Sequence, residues 1–282
     1  MKSPILALLV GLLALSANGA ESLKLEVMTF NLRYASERPP NAWTDRRPVV
    51  AEVFRLHQPD IVGTQEGVWQ QIKDIDQDQS DYDWVGLGRQ GGSRGEFCAI
   101  FYRTDKFELI AFDHFWLSDT PEIIGSITWG HKHRRMATWG QFRDRSSGRE
   151  FVVLNTHFDH RSELARANSA KLIRERIAQF DSELPIVVLG DFNCLAGDSV
   201  PFTTLTANTG LVDTWTTAKT SLPHPTPNTF HGYQPEKPDG RRIDWVLVNE
   251  SAKVESAEII MTQINGQYPS DHFPVTAIVN FD

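Results

Sequence analysis

The chain has 282 residues, 40% of them hydrophobic, with 28 Lys and Arg against 36 Asp and Glu for a formal charge of −8. That is enough apolar material for the core of one large domain of helices and strands, and too acidic a body to favour gripping long nucleic acid through its phosphates. Only Cys98 and Cys194 are present, which excludes a disulfide-stapled scaffold, and both are expected as free, mostly buried thiols.

Lys2, the apolar run Ile5 to Leu15 and the small, polar stretch Ser16 to Ala20 ahead of Glu21 form a signal-peptide pattern. Residues 1–20 therefore read as a cleaved leader and 21–282 as one catalytic domain, secreted or periplasmic. The run is too short for a mature anchor, and no later stretch approaches the length of a membrane span.

Leu23 to Met28 alternates as a strand and runs into Thr29-Phe30-Asn31. Thr44 is placed to cap a helix from about Asp45 to His57, and Pro59 to Gly63 starts a short strand ending at Gln65-Glu66. A weaker helix is predicted around Val68 to Asp76, then strands near Tyr82 to Leu87 and Glu96 to Tyr102. The glycine-rich segment Gly88 to Gly95 between them lacks the Gly-Lys-Ser/Thr ending of a phosphate loop and reads as a hairpin loop.

Strands are predicted at Phe107 to Leu117, Met136 to Arg143 and Glu150 to Asn155, and Ser162 caps a helix reaching about Phe180. Pro185 to Leu189 is a continuous apolar run, expected of a strand buried on both faces, and delivers Gly190-Asp191-Phe192-Asn193 at its end. Pro223 to Pro238 is a Pro-rich loop, and Ile243 to Val248, Val254 to Met261 and Phe273 to Val279 are closing strands. Strands in series with helices at intervals predict two mixed sheets stacked face to face with helices outside.

Polar clusters recur where apolar strands end: Asn31, Gln65-Glu66, Asn155-Thr156-His157, Asp191 with Asn193, and Asp244 with Asp271-His272. Oxygen donors dominate, which suits a hard cation, Mg²⁺ first and Mn²⁺ or Ca²⁺ next, rather than zinc. Glu66 with Asn31 and Asp271 would ligate it. His157 and His272 suit proton handling and charge stabilisation on a phosphate ester; Asp244 would fix the tautomer of His272, Asp191 would activate water, and Asn193 would donate to a phosphoryl oxygen.

These ordered motifs resemble those of the endonuclease/exonuclease/phosphatase superfamily, from about Leu25 to Phe281. The resemblance implies an α+β fold, a four-layer α/β/β/α sandwich with two stacked mixed β-sheets. It also implies a metal bound at Glu66 with support from Asn31 and Asp271, and catalysis and phosphate binding by His157, Asp191, Asn193, Asp244 and His272. The compact form and the export pattern look most like exported bacterial members. The implied activity is divalent-metal-dependent hydrolysis of a phosphodiester or phosphomonoester by metal-assisted attack of water.

Fold does not settle substrate. Two alternatives stay open: an extracellular nuclease, which the net charge disfavours, and a non-catalytic binding module, against which the full set Glu66, Asp191, Asp244 and His272 argues. The basic run His131-Lys132-His133-Arg134-Arg135 is either a solvated loop or a reach over the site. His133, Arg134 and Arg94 are the candidate contacts to an anionic substrate, with Arg46, Arg47 and Arg89 as further members of that patch. Trp43, Trp129 and Trp139 are either core or stacking surfaces. No feature of the sequence sets the oligomeric state.

Overall fold

The computed structural model describes residues 22–221, 228–236 and 241–282. The leader pattern over 1–20 and the Pro-rich loop at 222–227 and 237–240 lie outside them. In chain order the described elements are β1 (Leu23–Asn31), α1 (Trp43–His57), β2 (Ile61–Gln65), α2 (Trp69–Asp78), β3 (Tyr82–Val85), β4 (Ala99–Arg103), β5 (Phe107–Trp116), β6 (Met136–Asp144) and β7 (Glu150–His157). They continue with α3 (Glu163–Ile177), β8 (Ile186–Asp191), α4 (Val200–Thr206), β9 (Leu211–Asp213), α5 (Thr214–Thr217), β10 (Thr220–Ser221), β11 (Asp244–Asn249), β12 (Lys253–Ile259) and β13 (Val275–Phe281).

The strands form a seven-stranded sheet, ordered β10-β12-β13-β1-β2-β4-β3, and a six-stranded sheet, ordered β5-β6-β7-β8-β11-β9. Each is mixed, with a central parallel pair, β1 beside β2 and β7 beside β8, flanked by antiparallel neighbours, and the edge strand β10 adds a second parallel pair with β12. A parallel pair needs a crossover, and the helical stretches α1 and α3 supply it.

Side-chain alternation then builds the layers. Leu25 and Val27 of β1 meet Val153 of β7 and Val187 and Leu189 of β8 between the sheets. Met28 and Phe30 face the opposite way, onto Val50, Val53 and Phe54 of α1 and Ile72 and Ile75 of α2. On the other sheet Val152, Leu154 and Val188 pack under Ala170 and Ile173 of α3 and Leu205 of α4. Strands covered on both faces carry continuous apolar runs, as Pro185 to Leu189 does. The result is the expected four-layer α/β/β/α sandwich.

Near one rim the two sheets are joined by a polar bridge. Asn155 of β7 donates through Nδ2 to the carbonyls of Thr64 (2.9 Å) and Ala99 (2.8 Å) in the other sheet. Gln65 Nε2 donates back to Asn155 Oδ1 at 2.7 Å and to Thr29 Oγ1 at 3.1 Å. Gly63 permits this approach, because a Cβ there would lie 1.8 Å from Leu189 Cδ1 and 2.9 Å from Asn155 Cγ.

Several element boundaries differ from expectation by two or three residues, among them the ends of β3, β4, β7 and β12, and three differences have a physical reason. Helix α1 starts at Trp43, so Thr44 lies inside its first turn and no side chain caps it; Trp43 is fixed instead by its amide donating to Ser36 O and its indole to Asp74. Helix α3 is capped by Ser162, which accepts from the Ala165 amide, but stops at Ile177, leaving Phe180 to pack edge-on against Trp139. Strand β13 begins after Pro274, which has no amide to give a ladder. The short elements α4, α5, β9 and β10 carried no periodicity long enough to predict them.

Cys98 is buried and Cys194 half-buried, both free, and burial pushes both thiols up to about 12, so they stay protonated. Among the described residues no helix is long and apolar enough to cross a membrane.

Gly63→Ala should destabilise the protein by about 3 kcal/mol, since the methyl forces the sheets apart where they touch. Urea unfolding would show this as a lower midpoint, and an unchanged midpoint would contradict the tight approach.

Candidate active site

The polar bridge sits beneath a cleft of about 610 Å³. Asn31 pairs with Gln65 at the carboxyl ends of β1 and β2, and His157 pairs with Asp191 at those of β7 and β8. Asp244, opening the antiparallel β11, lies opposite Asp191, while Asp271 and His272 precede β13. The expected clusters therefore converge on one rim.

Asp191 is the hub. Its Oδ2 accepts from Asn31 Nδ2 at 2.9 Å and from Asn193 Nδ2 at 3.4 Å, and lies 3.4 Å from His157 Nε2 and 3.9 Å from His272 Nε2. Its Oδ1 accepts the Asn193 amide at 2.9 Å. A tight strand exit makes this possible: a Cβ at Gly190 would lie 2.2 Å from Thr156 O, and Asn193 takes a left-handed φ of 51°, which its short polar side chain tolerates. Glu66 also has a positive φ, 62°, an uncommon backbone state for such a residue and one found at functional sites. Its Oε2 accepts the Tyr34 amide at 3.0 Å and its Oε1 faces Asn31 Nδ2 at 3.4 Å.

The electrostatics divide the titrating groups. Burial, then the charge of Asp244, pushes Asp191 up to about 7. Burial alone would lower His272, but Asp244, 2.9 Å from its Nδ1, and Asp191 outweigh it and raise the ring to about 10. His157 goes the other way. Burial and then the guanidinium of Arg135, whose Nη1 lies 2.9 Å from Nδ1 and 3.0 Å from Nε2, hold it well below the usual histidine range and neutral.

Cations face this acidic hub. Arg33 pairs with Asp271 at 2.6 Å, Arg89 with Glu96 at 2.6 Å, and Arg135 reaches on to His160 Nδ1 at 3.1 Å; all three arginines line the cleft. Arg46 serves differently. Fully buried, it donates to the carbonyls of Leu32, Arg33, Tyr34, Asn41 and Pro269, tying the loop after β1 to the loop that carries Asp271.

Of the predicted site residues, Glu66, Asp191 and His157 converge within 4.8 Å, as do Asp191, Asp244 and His272. Asp271 lines the cleft, but Arg33 occupies its carboxylate, so it does not join Glu66 in either group. Asn31 stands between Glu66 and Asp191 with its amide nitrogen towards them, its oxygen accepting the Arg33 amide at 2.9 Å. His133 lines the cleft, stacked 5.6 Å from His160. Arg94 and Arg134 do not line it: Arg94 bonds back to Gln90 O within the hairpin loop, and Arg134 to Gly125 O. Arg47 is spent on Asp74 and Asp78. Trp43, Trp129 and Trp139 are absent from the cleft lining, the first two bonding through their indoles to Asp74 and Asp119 and the third packing on Phe180.

Sequence reasoning missed Arg33, Tyr34, Glu96 and His160, and it also missed the described part of the Pro-rich loop. There Thr229 Oγ1 accepts the Ile243 and Asp244 amides at 3.0 and 3.1 Å, and Phe230 lies edge-on to His272 at 5.0 Å. Arg33 follows Asn31 by two residues, and that proximity to a strand-end motif was the available signal.

The family model for the endonuclease/exonuclease/phosphatase family matches residues 28–272. The chain belongs to this family. Its members are hydrolases of phosphate esters that depend on a divalent metal. The chain is 32% identical to a mannosyl-6-phosphatase of Bacteroides thetaiotaomicron, with a TM-score of 0.86 over 91% of this chain and 100% of that one. It is 34% identical to an endonuclease/exonuclease/phosphatase from Bacteroides vulgatus, with a TM-score of 0.87 over 92% and 100%. Among curated relatives it is 28% identical over 166 residues to Nocturnin of Drosophila melanogaster, covering 54% of this chain and 24% of that protein's length. It is also 31% identical to protein L388 of Acanthamoeba polyphaga mimivirus, over 59% of this chain and 64% of that protein. The chain spans less than two thirds of the length of these two curated relatives.

Asp244→Asn should move the titration of His272, followed by NMR of the ring, from about 10 towards the ordinary histidine range near 6.5. Because folding raises this pKa, the pair stabilises the fold below about pH 6.5 and loses that contribution as pH rises through about 10. The variant should therefore be less stable than the parent at pH 6, and the difference should narrow above pH 10.

Proposed function

We propose that this chain is an exported phosphomonoesterase that uses Mg²⁺ to hydrolyse the phosphate ester of a small, sugar-like alcohol. The observation that carries the reading is the cleft itself, in which a buried carboxylate hub faces Arg33, Arg89 and Arg135 within about 610 Å³. That volume suits a phosphoryl group with a ring attached. The leader pattern supports export, and the likeness to a mannosyl-6-phosphatase supports a sugar phosphate.

The residues fit a hard divalent cation. Burial, then the neighbouring charges of Asp244 and Glu66, raise Asp191 to about 7, and the carboxylates offer the oxygen donors that Mg²⁺ selects. Glu66 would hold the ion, beside Asn31. When bound, it neutralises charge on the phosphoryl and leaving oxygens.

The chain's own groups do the rest. Asp191, oriented by Asn31 and Asn193, accepts the proton of the attacking water, and its raised pKa suits a base working near neutrality. His272, protonated and held by Asp244, offers Nε2–H to the phosphoryl oxygens as charge builds on them. Arg135 and neutral His157 form the opposite wall, where a guanidinium matches phosphate geometry.

The test is hydrolysis of a hexose 6-phosphate, p-nitrophenyl phosphate, bis-p-nitrophenyl phosphate and an oligonucleotide, each with Mg²⁺ and with chelator. Chelator-sensitive turnover of the monoesters is expected; cleavage confined to the oligonucleotide would replace this reading with a nuclease. Glu66→Gln and Asp191→Asn should each lower turnover by about 10²-fold or more while retaining near-parental unfolding midpoints. Unchanged turnover in both would remove the assigned roles.

A further inference from the structure

Beside the cleft runs a second groove of about 590 Å³, between the first turns of α3 and α4, and the two share the walls Cys194 and Leu195. Three large aliphatic side chains lining it are left in water, Leu164 at 63% exposure, Val200 at 64% and Leu195 at 45%. Grouping them in one concave surface is costly for a soluble domain unless something covers them. Its rim carries Glu163 and Asp198, both exposed and neither with a partner among the described residues. The single arginine of the groove, Arg166, donates to the Asp159 carbonyl at 2.9 Å, so two carboxylates face one already engaged guanidinium.

We infer that this groove receives the alcohol side of the substrate, as an uncharged leaving group with an apolar face and hydroxyl donors. The inference rests on the phosphomonoesterase reading and narrows its substrate class. Continuity places it. Leu195 follows Asn193, which bonds Asp191, by two residues, so a phosphoryl group at Asp191 has its alcohol leading out over Leu195 towards Leu164 and Val200. The aliphatic surface binds apolar area, and the two free carboxylates accept hydroxyl hydrogens. The same carboxylates repel a second phosphate, which sets this groove against a polynucleotide chain and in favour of a glycoside bearing one phosphate.

The experiment compares the methyl and hexyl glycosides of a hexose 6-phosphate with the hexose 1,6-bisphosphate, using the mature protein with Mg²⁺. In the parent, kcat/KM should rise on the order of tenfold from methyl to hexyl glycoside, and the bisphosphate should be the poorest substrate. Leu164→Ser with Val200→Ser should abolish the hexyl gain, bringing kcat/KM for the hexyl and methyl glycosides within about twofold of one another. Glu163→Gln with Asp198→Asn should improve the bisphosphate several-fold relative to the glycosides and leave the ratio of hexyl to methyl turnover unchanged. A methyl glycoside that is turned over with no hexyl gain, or a gain that survives the serine pair, overturns the groove assignment alone. No turnover of any monoester overturns the phosphomonoesterase reading and this inference with it.

Discussion

The hydrogen bond between Gln65 and Asn155 belongs to a polar bridge joining two sheets whose shared core is apolar, and the cleft is assembled directly above it. Glu66 is one residue beyond Gln65, and His157 is two residues beyond Asn155. Sheet packing that is purely apolar tolerates sliding, whereas a buried amide pair with fixed donors and acceptors does not, because every alternative register leaves a polar group unpaired. The 2.7 Å contact thus sets where the carboxylates of one sheet stand relative to the imidazoles of the other. Gly63 is the steric condition for it, since any side chain there would meet Leu189 first.

Above that bridge the site is held by charge opposed to charge. Asp191 is surrounded by donors and by two further acids, and the histidines on either side of it are driven to opposite protonation states by their second partners, Asp244 for His272 and Arg135 for His157. Two rings of the same chemistry thereby take different tasks, one cationic and one neutral, without any difference in burial. Arg46 holds the scaffold of this arrangement from below. Its five carbonyl acceptors belong to loops with no ladder of their own, so a single guanidinium stands in for a missing secondary structure.

The layers were legible because strands buried on both faces leave apolar runs and the helices between them leave 3.6-residue periodicity; Pro185 to Leu189 and the Ser162 cap are cases in point. The hub was legible for a related reason: a carboxylate at the end of such a run, as Asp191 is, has no packing purpose. The cationic wall was only half legible. Arg94, Arg134 and Arg135 look alike in a sequence, and what separates them is the curl of the loops, which turns the first two onto backbone carbonyls and only the third into the cleft. Thr229 and Phe230 were hidden because their work is done from a loop, where neither periodicity nor burial pattern marks a residue that supports Asp244 and His272. Asp271 was expected to join Glu66 on a metal, and the arginine that occupies it lies far away in the sequence.

Leu23 and Phe281 are paired partners at the start of β1 and the end of β13, while Asn31 and His272 mark the other ends of the same strand run. The nine residues of β1 separate the two rims by about 26 Å at roughly 3.3 Å per residue. Anything joined to the domain through either of these strand ends, whether a tether to a surface, a fusion partner or an immobilising support, therefore leaves from the floor and keeps the mouth of the cleft pointing outward. The domain can be anchored by both strand ends at once without covering the rim on which the cleft opens.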